Sequence, residues 1–190
     1  LRRLGTQVRS DKVRVAFVAE FSRGKSEMIN AVFFAGYGRR IMPASAGRTT
    51  MCPTELGYDA SLAPSLRLLP IETRLQLQGL AEWRVKPERW IEIPLDVNNA
   101  DQIAKALEKV AEVRKVTLDN ARALGFWHDE LADENPVPDS EGLVEVPMWR
   151  HAIINIPHPL LKQGLVILDT PGLNAVGAEP ELTVNLIPQA

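Results

Sequence analysis

The chain has 190 residues, of which 45% are hydrophobic and 24% are charged, and it carries a net charge of −2. This composition is that of an ordinary globular domain, and the absence of a basic excess argues against nucleic acid as a partner. The single cysteine, Cys52, cannot form an internal disulfide, which favours a reducing cytoplasm. No apolar run approaches the ~18 residues of a membrane-spanning helix.

The two ends of the sequence lack the features of natural termini. The chain begins with Leu1 rather than methionine, no signal peptide follows, and residues 186–190 have no terminal character. We therefore expect both ends to be cuts within a longer protein.

The first elements in chain order are a polar lead-in over residues 1–12 and a buried strand over residues 13–18, which becomes wholly apolar. A loop over residues 19–26 leads into a helix from residue 25 to about residue 34, because apolar side chains recur there at helical spacing. Residues 39–54 are rich in small residues and proline, and they predict a loop.

The remaining elements predict an α/β domain. One long helix is expected over residues 100–124, because its apolar residues form a single stripe and Asn98 or Asn99 can cap its start. The acidic, proline-rich residues 133–142 predict an exposed loop. Short strands are predicted at residues 55–58, 66–69, 90–93, 152–156 and 164–168. This order favours an open, partly parallel sheet that binds its ligand at the carboxyl ends of strands.

Residues 19–26, with the sequence AEFSRGKS, match a phosphate-binding loop in which alanine replaces the usual first glycine. Gly24 allows close approach of the backbone to phosphates, Lys25 supplies a positive charge to the β- and γ-phosphates, and the Ser26 hydroxyl is suited to magnesium. The alternative is a surface turn with an incidental lysine. The predicted nucleotide-contacting residues of this loop are Glu20, Phe21, Ser22, Arg23, Gly24, Lys25, Ser26 and Glu27.

A second motif, Asp-Thr-Pro-Gly at residues 169–172, follows the predicted strand at 164–168. Asp169 can hold magnesium through water, and the Gly172 N–H can meet the γ-phosphate. Alone, these residues could form an ordinary turn, since aspartate, proline and glycine are turn formers. Beside a phosphate-binding loop they predict the other half of one magnesium site.

A third motif lies in the loop over residues 39–54, at Thr49 and Thr50. A threonine here can ligate magnesium with its hydroxyl and position the attacking water with its carbonyl, ordering when the γ-phosphate is present. The alternative is that both threonines face solvent.

In these three motifs the sequence resembles bacterial dynamin-like GTPases. The segments EFSRGKS, GRTTMCPTE and LVILDTPGLNAVG carry the resemblance, and the spacing of Thr50 and Pro53 selects Thr50 over Thr49. The resemblance implies a P-loop NTPase fold with three layers, α/β/α. Its sheet would be mixed and mostly parallel, and incomplete at the carboxyl end of this chain.

The resemblance also implies roles for individual residues. Catalytic roles fall to Lys25, Thr50, Ser22 and Arg23, with a monovalent cation near Ser22, and the magnesium ligands would be Ser26, Thr50 and Asp169. Phe21 departs from a glutamine that often positions water in the family, and Glu27 replaces a hydroxyl residue. Arg23 is a candidate cation for the transition state, or else a solvated or dimer-contacting side chain.

About 115 residues separate Thr54 from Asp169, far more than two strands require. Residues 71–150, with the predicted long helix, are therefore expected to be an insertion. All four tryptophans lie in it, and packing is the favoured role for them over a binding surface. Structural or solvated roles are favoured for the three histidines, which lack metal-ligand spacing.

The function implied by the resemblance is magnesium-dependent hydrolysis of GTP, coupled to membrane remodelling or tethering by parts outside this chain. A homodimer across the nucleotide face, and a cytoplasmic protein peripheral to the inner membrane, are also implied. Guanine is implied by resemblance alone, because the base-reading motif would lie beyond Ala190. A P-loop ATPase and a nucleotide-dependent switch or scaffold with negligible hydrolysis stay open as alternatives.

Overall fold

A computed structural model describes residues 14–18, 23–43 and 52–170 of the chain. Five helices and eight strands lie in this part of the chain, together with short 3-10 turns. The strands are β1 (Arg14–Val18), β2 (Thr54–Gly57), β3 (Ser65–Pro70), β4 (Ile91–Pro94), β5 (Val113–Val116), β6 (Val144–Pro147), β7 (Trp149–Asn155) and β8 (Val166–Thr170). The helices are α1 (Arg23–Phe33), α2 (Leu80–Arg84), α3 (Ala100–Glu108), α4 (Leu118–Ala123) and α5 (Pro159–Lys162).

Six strands form the main sheet, in the order β1-β8-β2-β7-β3-β4. The pairs β1–β8 and β2–β7 are parallel, whereas β2–β8, β3–β7 and β3–β4 are antiparallel. The predicted mixed α/β sheet is confirmed. Parallel pairs do not predominate among the described strands, because β2, β7 and β4 run against β1, β8 and β3.

Helices cover both faces of the main sheet, which gives the three layers that were predicted. Residues at alternate strand positions point to the same face, so Leu56, Ile154 and Ile167 share one face and pack with α1, α3 and α5. Leu69, Ile153 and Leu168 point to the other face, where Leu80 and Trp83 of α2 cover them together with Trp90.

The long helix predicted over residues 100–124 is wrong, because the segment divides into α3, β5 and α4. Asn99 caps α3 by accepting a hydrogen bond from the Gln102 N–H (3.0 Å), and the helix ends in a 3-10 turn over Lys109–Ala111. Valines at 113 and 116 favour an extended chain. They pair with β6, about thirty residues further on, which no local pattern could reveal.

Residues 71–150, which were predicted to be an insertion, are divided between the main sheet and a small second unit. Strand β4 and helix α3 join the main sheet and its core, whereas β5, β6 and α4 enclose a separate cluster that includes Val116, Phe126 and Val146. The chain enters and leaves this second unit at neighbouring backbone positions, since the Met148 N–H donates to the Glu112 carbonyl (2.9 Å).

The tryptophans have the packing role that was predicted. Trp83 and Trp90 lie in the core beside α2, Trp149 lies in the main core, and Trp127 is partly buried against the second unit. In the described part of the chain, every helix is too short or too polar to span a bilayer.

Candidate functional site

One edge of the main sheet collects the ends of three strands. β1 and β8 are parallel neighbours, with Phe17 opposite Asp169 and Val18 opposite Thr170, so both end at the same edge. β2 runs the other way, and its first residue, Thr54, lies opposite Asp169. This edge is therefore where the chain leaves β1, where the strand of Asp169 ends and where the chain enters β2. Open α/β sheets bind ligands at such an edge.

Helix α1 begins at this edge. Arg23, Gly24 and Lys25 form the backbone of its first turn, and Ser26 follows with a relative exposure of only 1%. The helix starts five residues after β1 ends, as the phosphate-binding motif requires. Its free N–H groups and its dipole make the amino end electropositive and suited to a phosphate.

Asp169 and Thr54 lie side by side on the face of the sheet that α1 covers. Asp169 is partly buried, and it lies two positions after Ile167 of the main core. Thr54 is 5% exposed, and its hydroxyl donates to the Cys52 carbonyl (3.1 Å). The chain leaving the predicted Thr50 loop is thereby fixed next to the Asp169 strand.

The described residues cover part of the predicted site. Glu20, Phe21, Ser22, Thr50 and Gly172 lie outside the described residues. Glu27 forms an ion pair with Arg40, in which Oε1 of Glu27 lies 2.8 Å from Nη2 of Arg40. The Glu27 side chain is 59% exposed. Asp169, expected just after its strand, lies within β8.

Magnesium fits the donor atoms that the described residues offer. Ser26 supplies a buried hydroxyl at the start of α1, and Asp169 supplies a carboxylate on the strand beside β1. Magnesium prefers oxygen ligands, and it is commonly held by one or two protein groups together with substrate phosphates. Ser26 and Asp169 are thus suitable residues to hold it with a nucleotide.

A partly buried cluster of ionisable side chains on the opposite face of the sheet was not predicted from the sequence. Glu55, which follows Thr54, forms an ion pair with Arg84 of α2, and its Oε2 lies 3.6 Å from Nε2 of the fully buried His151. Burial alone would raise the pKa of Glu55, but His151 and Arg84 outweigh it and lower the pKa to about 2. A single glutamate at the start of a strand carries no sequence signal for such a cluster.

Asn30 was also missed, although it did carry a signal. Asparagine is a poor residue for a helix interior because its side chain competes for backbone hydrogen bonds. In α1 its side chain bonds the backbone of Ile41 and Met42. An asparagine in the middle of a short helix is therefore a sign of such a contact.

The family model described as the dynamin family matches residues 15–190. A search of curated sequences gave no match.

Similar solved structures include two chains of an oligomerised bacterial dynamin pair, described as providing a mechanism for long-range sensing and tethering of membranes. They show 20% and 21% identity, with TM-scores of 0.39 and 0.37, over 94% and 86% of this chain. This chain spans only 19% and 16% of the length of those chains. The family match, by contrast, extends over nearly the whole sequence, and the chain belongs to the dynamin family.

Proposed function

We propose that this domain binds GTP and hydrolyses it with magnesium. The observation that supports this most is that β8, which carries Asp169, is the parallel neighbour of β1, and that α1, which carries Ser26, is the next element after β1. The phosphate-binding motif precedes Ser26 directly, and the dynamin family match covers both residues. Guanine as the base rests on family membership.

In this proposal the amino end of α1 receives the phosphates. The backbone around Gly24 surrounds them, Lys25 neutralises the β- and γ-phosphates, and Ser26 with Asp169 holds the metal. A bound magnesium ion would supply Lewis-acid chemistry that offsets negative charge on the phosphates. The low exposure of Ser26 keeps bulk water from competing for its hydroxyl.

The remaining roles belong to Thr50, Gly172 and Ser22, which lie outside the described part, and to Arg23 at the start of α1. We propose that Thr50 orients the attacking water and completes the metal ligands, while the Gly172 N–H contacts the γ-phosphate. Ser22 would lie near a monovalent cation, and Arg23, at the start of α1, would offset charge in the transition state.

The first test is binding of fluorescent GTP and ATP analogues to the full-length protein, with and without magnesium. We expect magnesium-dependent binding that GTP displaces and ATP does not, and loss of binding in Lys25→Ala. Equal displacement by ATP would indicate a P-loop ATPase. Absence of any binding would refute the proposed function.

Turnover distinguishes an enzyme from a nucleotide-dependent switch. We expect Thr50→Ala to bind GTP normally and to release no phosphate, with Thr49→Ala as the matched control. Normal turnover by Thr50→Ala would exclude the role proposed for this residue. Slow turnover by the unmodified protein, unchanged by dimerisation, would favour a switch or scaffold.

We also propose that the longer protein acts at a membrane and dimerises through its nucleotide face, as a member of the dynamin family. The protein would be cytoplasmic and peripheral to the inner membrane. Co-sedimentation of the full-length protein with anionic vesicles, in GTP and in GDP, tests the membrane proposal. Analytical ultracentrifugation under the same conditions tests the dimer.

A further inference from the structure

Helix α1 holds the segment that leads towards the Thr50 loop. The Asn30 side-chain oxygen accepts hydrogen bonds from the backbone N–H groups of Ile41 (2.9 Å) and Met42 (2.7 Å), and its amide donates to the Met42 carbonyl (3.1 Å). The same side chain makes all three hydrogen bonds. A single residue of α1 thus binds two consecutive residues of the following segment.

The two residues that Asn30 binds are buried as well. Ile41 and Met42 are 2% and 4% exposed and belong to the main core, so their backbone groups need partners inside the protein. Asn30 supplies these partners from the helix. The position of the segment therefore depends on this side chain as well as on apolar packing.

A second contact joins the same two elements but is weaker. Arg40 pairs with Glu27 of α1 and donates to the Met42 carbonyl (3.1 Å). Both charged side chains are more than 40% exposed. Exposed ion pairs contribute little because water competes for both charges. Asn30 is therefore the principal link.

The placement of Asn30 connects two parts of the candidate site. It lies four residues after Ser26, which is one turn further along the same helix. Met42 lies eight residues before Thr50 in the sequence. On the far side, Cys52 is buried in the main core and its carbonyl accepts from the Thr54 hydroxyl. The described residues on either side of the segment that carries Thr50 are thus buried in the main core.

We infer that Asn30 is a positioning residue for hydrolysis, acting by setting where the Thr50 loop starts relative to the helix that carries Lys25 and Ser26. This inference rests on the proposed function. A displaced water-orienting group lowers the rate of chemistry steeply, whereas ground-state binding through the phosphate loop does not need it. The effect of Asn30 is therefore expected in kcat and not in the affinity for GDP.

The test compares Asn30→Ala and Asn30→Asp in the full-length protein, with steady-state GTP turnover and fluorescent GDP binding as readouts. Asn30→Ala is expected to lower kcat about tenfold or more while changing GDP affinity less than about twofold. Aspartate keeps the acceptor for both N–H groups, so Asn30→Asp is expected to retain more turnover than the alanine variant. Arg39→Ala is the matched control, since Arg39 lies in the same segment but forms its ion pair with Asp101 of α3 and not with a residue of α1.

Several outcomes would overturn the inference. Normal kcat in Asn30→Ala, in a protein whose unmodified form hydrolyses GTP, would overturn it and leave the proposed function intact. Equal losses of kcat and GDP affinity would show that Asn30 only maintains the fold. An unmodified protein without turnover would refute the hydrolytic function and the inference with it.

Discussion

Thr54, the first residue of β2, lies directly opposite Asp169 of β8 in the antiparallel ladder. Residues opposite each other in such a ladder point to the same face and lie about 5 Å apart at Cβ. The strand that leaves the predicted Thr50 loop is therefore placed against the strand that carries the predicted metal carboxylate. If the first residue of β2 is displaced, the displacement therefore occurs directly beside Asp169.

The carboxylate of Asp169 is expected to account for much of the magnesium dependence of nucleotide binding. Asp169→Asn keeps the shape and removes the charge, so nucleotide affinity in magnesium should fall about 10- to 100-fold. Affinity in EDTA should stay the same. Titration of a fluorescent GTP analogue measures both, with Asp133→Asn in the exposed acidic loop as control. Equal losses with and without magnesium would contradict a role in metal binding.

The buried hydroxyl of Thr54 is expected to stabilise the entry to β2. Thr54→Val preserves the shape but leaves the Cys52 carbonyl without its 3.1 Å hydrogen bond. The free energy of unfolding should fall by ~1 kcal/mol in urea denaturation. Thr54→Ser keeps the hydroxyl and should lose less. A serine variant that is less stable than the valine variant would show that packing of the methyl group matters more than the hydrogen bond.

The cluster of Glu55, Arg84 and His151 is expected to make stability depend on pH. The pKa of Glu55 falls from an ordinary 4.5 to about 2 in the folded protein. Its contribution is therefore complete above pH 4.5 and is lost as the pH falls towards 2, which amounts to roughly 3 kcal/mol. Glu55→Gln should flatten the pH dependence of the free energy of unfolding in this window.

Urea denaturation between pH 2.5 and 6 measures this effect as the difference between the unmodified protein and the variant. Glu82→Gln, at an exposed position on α2, is the matched control and should leave the slope unchanged. A Glu55→Gln protein with the unmodified slope would show that the carboxylate is not selectively stabilised by folding.

Asn155, at the end of β7, is expected to matter more for stability than any exposed asparagine of the described chain. Its side chain accepts from the Asp59 N–H (2.8 Å) and donates to the carbonyls of Leu62 and Ala63 (3.2 Å each), and it is 3% exposed. Asn155→Ala should lower the free energy of unfolding by ~3 kcal/mol, because buried backbone groups lose their partners.

The control for this variant is Asn135→Ala. Asn135 also bonds a backbone N–H and a carbonyl, both of His128, but at an exposed site where water can replace it. Its loss should cost under ~1 kcal/mol in the same urea titration. Equal losses for the two variants would contradict the argument from burial.

The elements that the sequence predicted well are those with dense local patterns. β1, β7 and β8 are apolar runs with recognisable ends, and α1 follows a motif whose chemistry requires a strand before it and a helix after it. The same motifs placed Ser26 in the first helix, whereas Asp169, expected just after its strand, lies within β8. Their roles in binding stay predictions.

What could not be predicted depends on contacts between distant residues. Val113 and Val116 fit a helical stripe as well as a strand, and only pairing with β6 decides between the two. β2 pairs antiparallel with β8 and parallel with β7, and both partners lie far along the chain from it. The ion pair of Glu55 and Arg84 joins residues 29 positions apart, and neither residue indicates the other.

The hydrogen bond between Met148 and Glu112 gives this domain a natural place for changes in length. Because the chain leaves and re-enters the main body at adjacent backbone positions, a short connector between these two residues could replace everything from β5 to β6 without moving β7. The cost of longer segments there rises only slowly with their length. Relatives with larger or smaller units at this point are therefore structurally feasible. A fluorescent reporter could be inserted in the exposed loop of residues 133–142 without disturbing the edge at which β1 and β8 end.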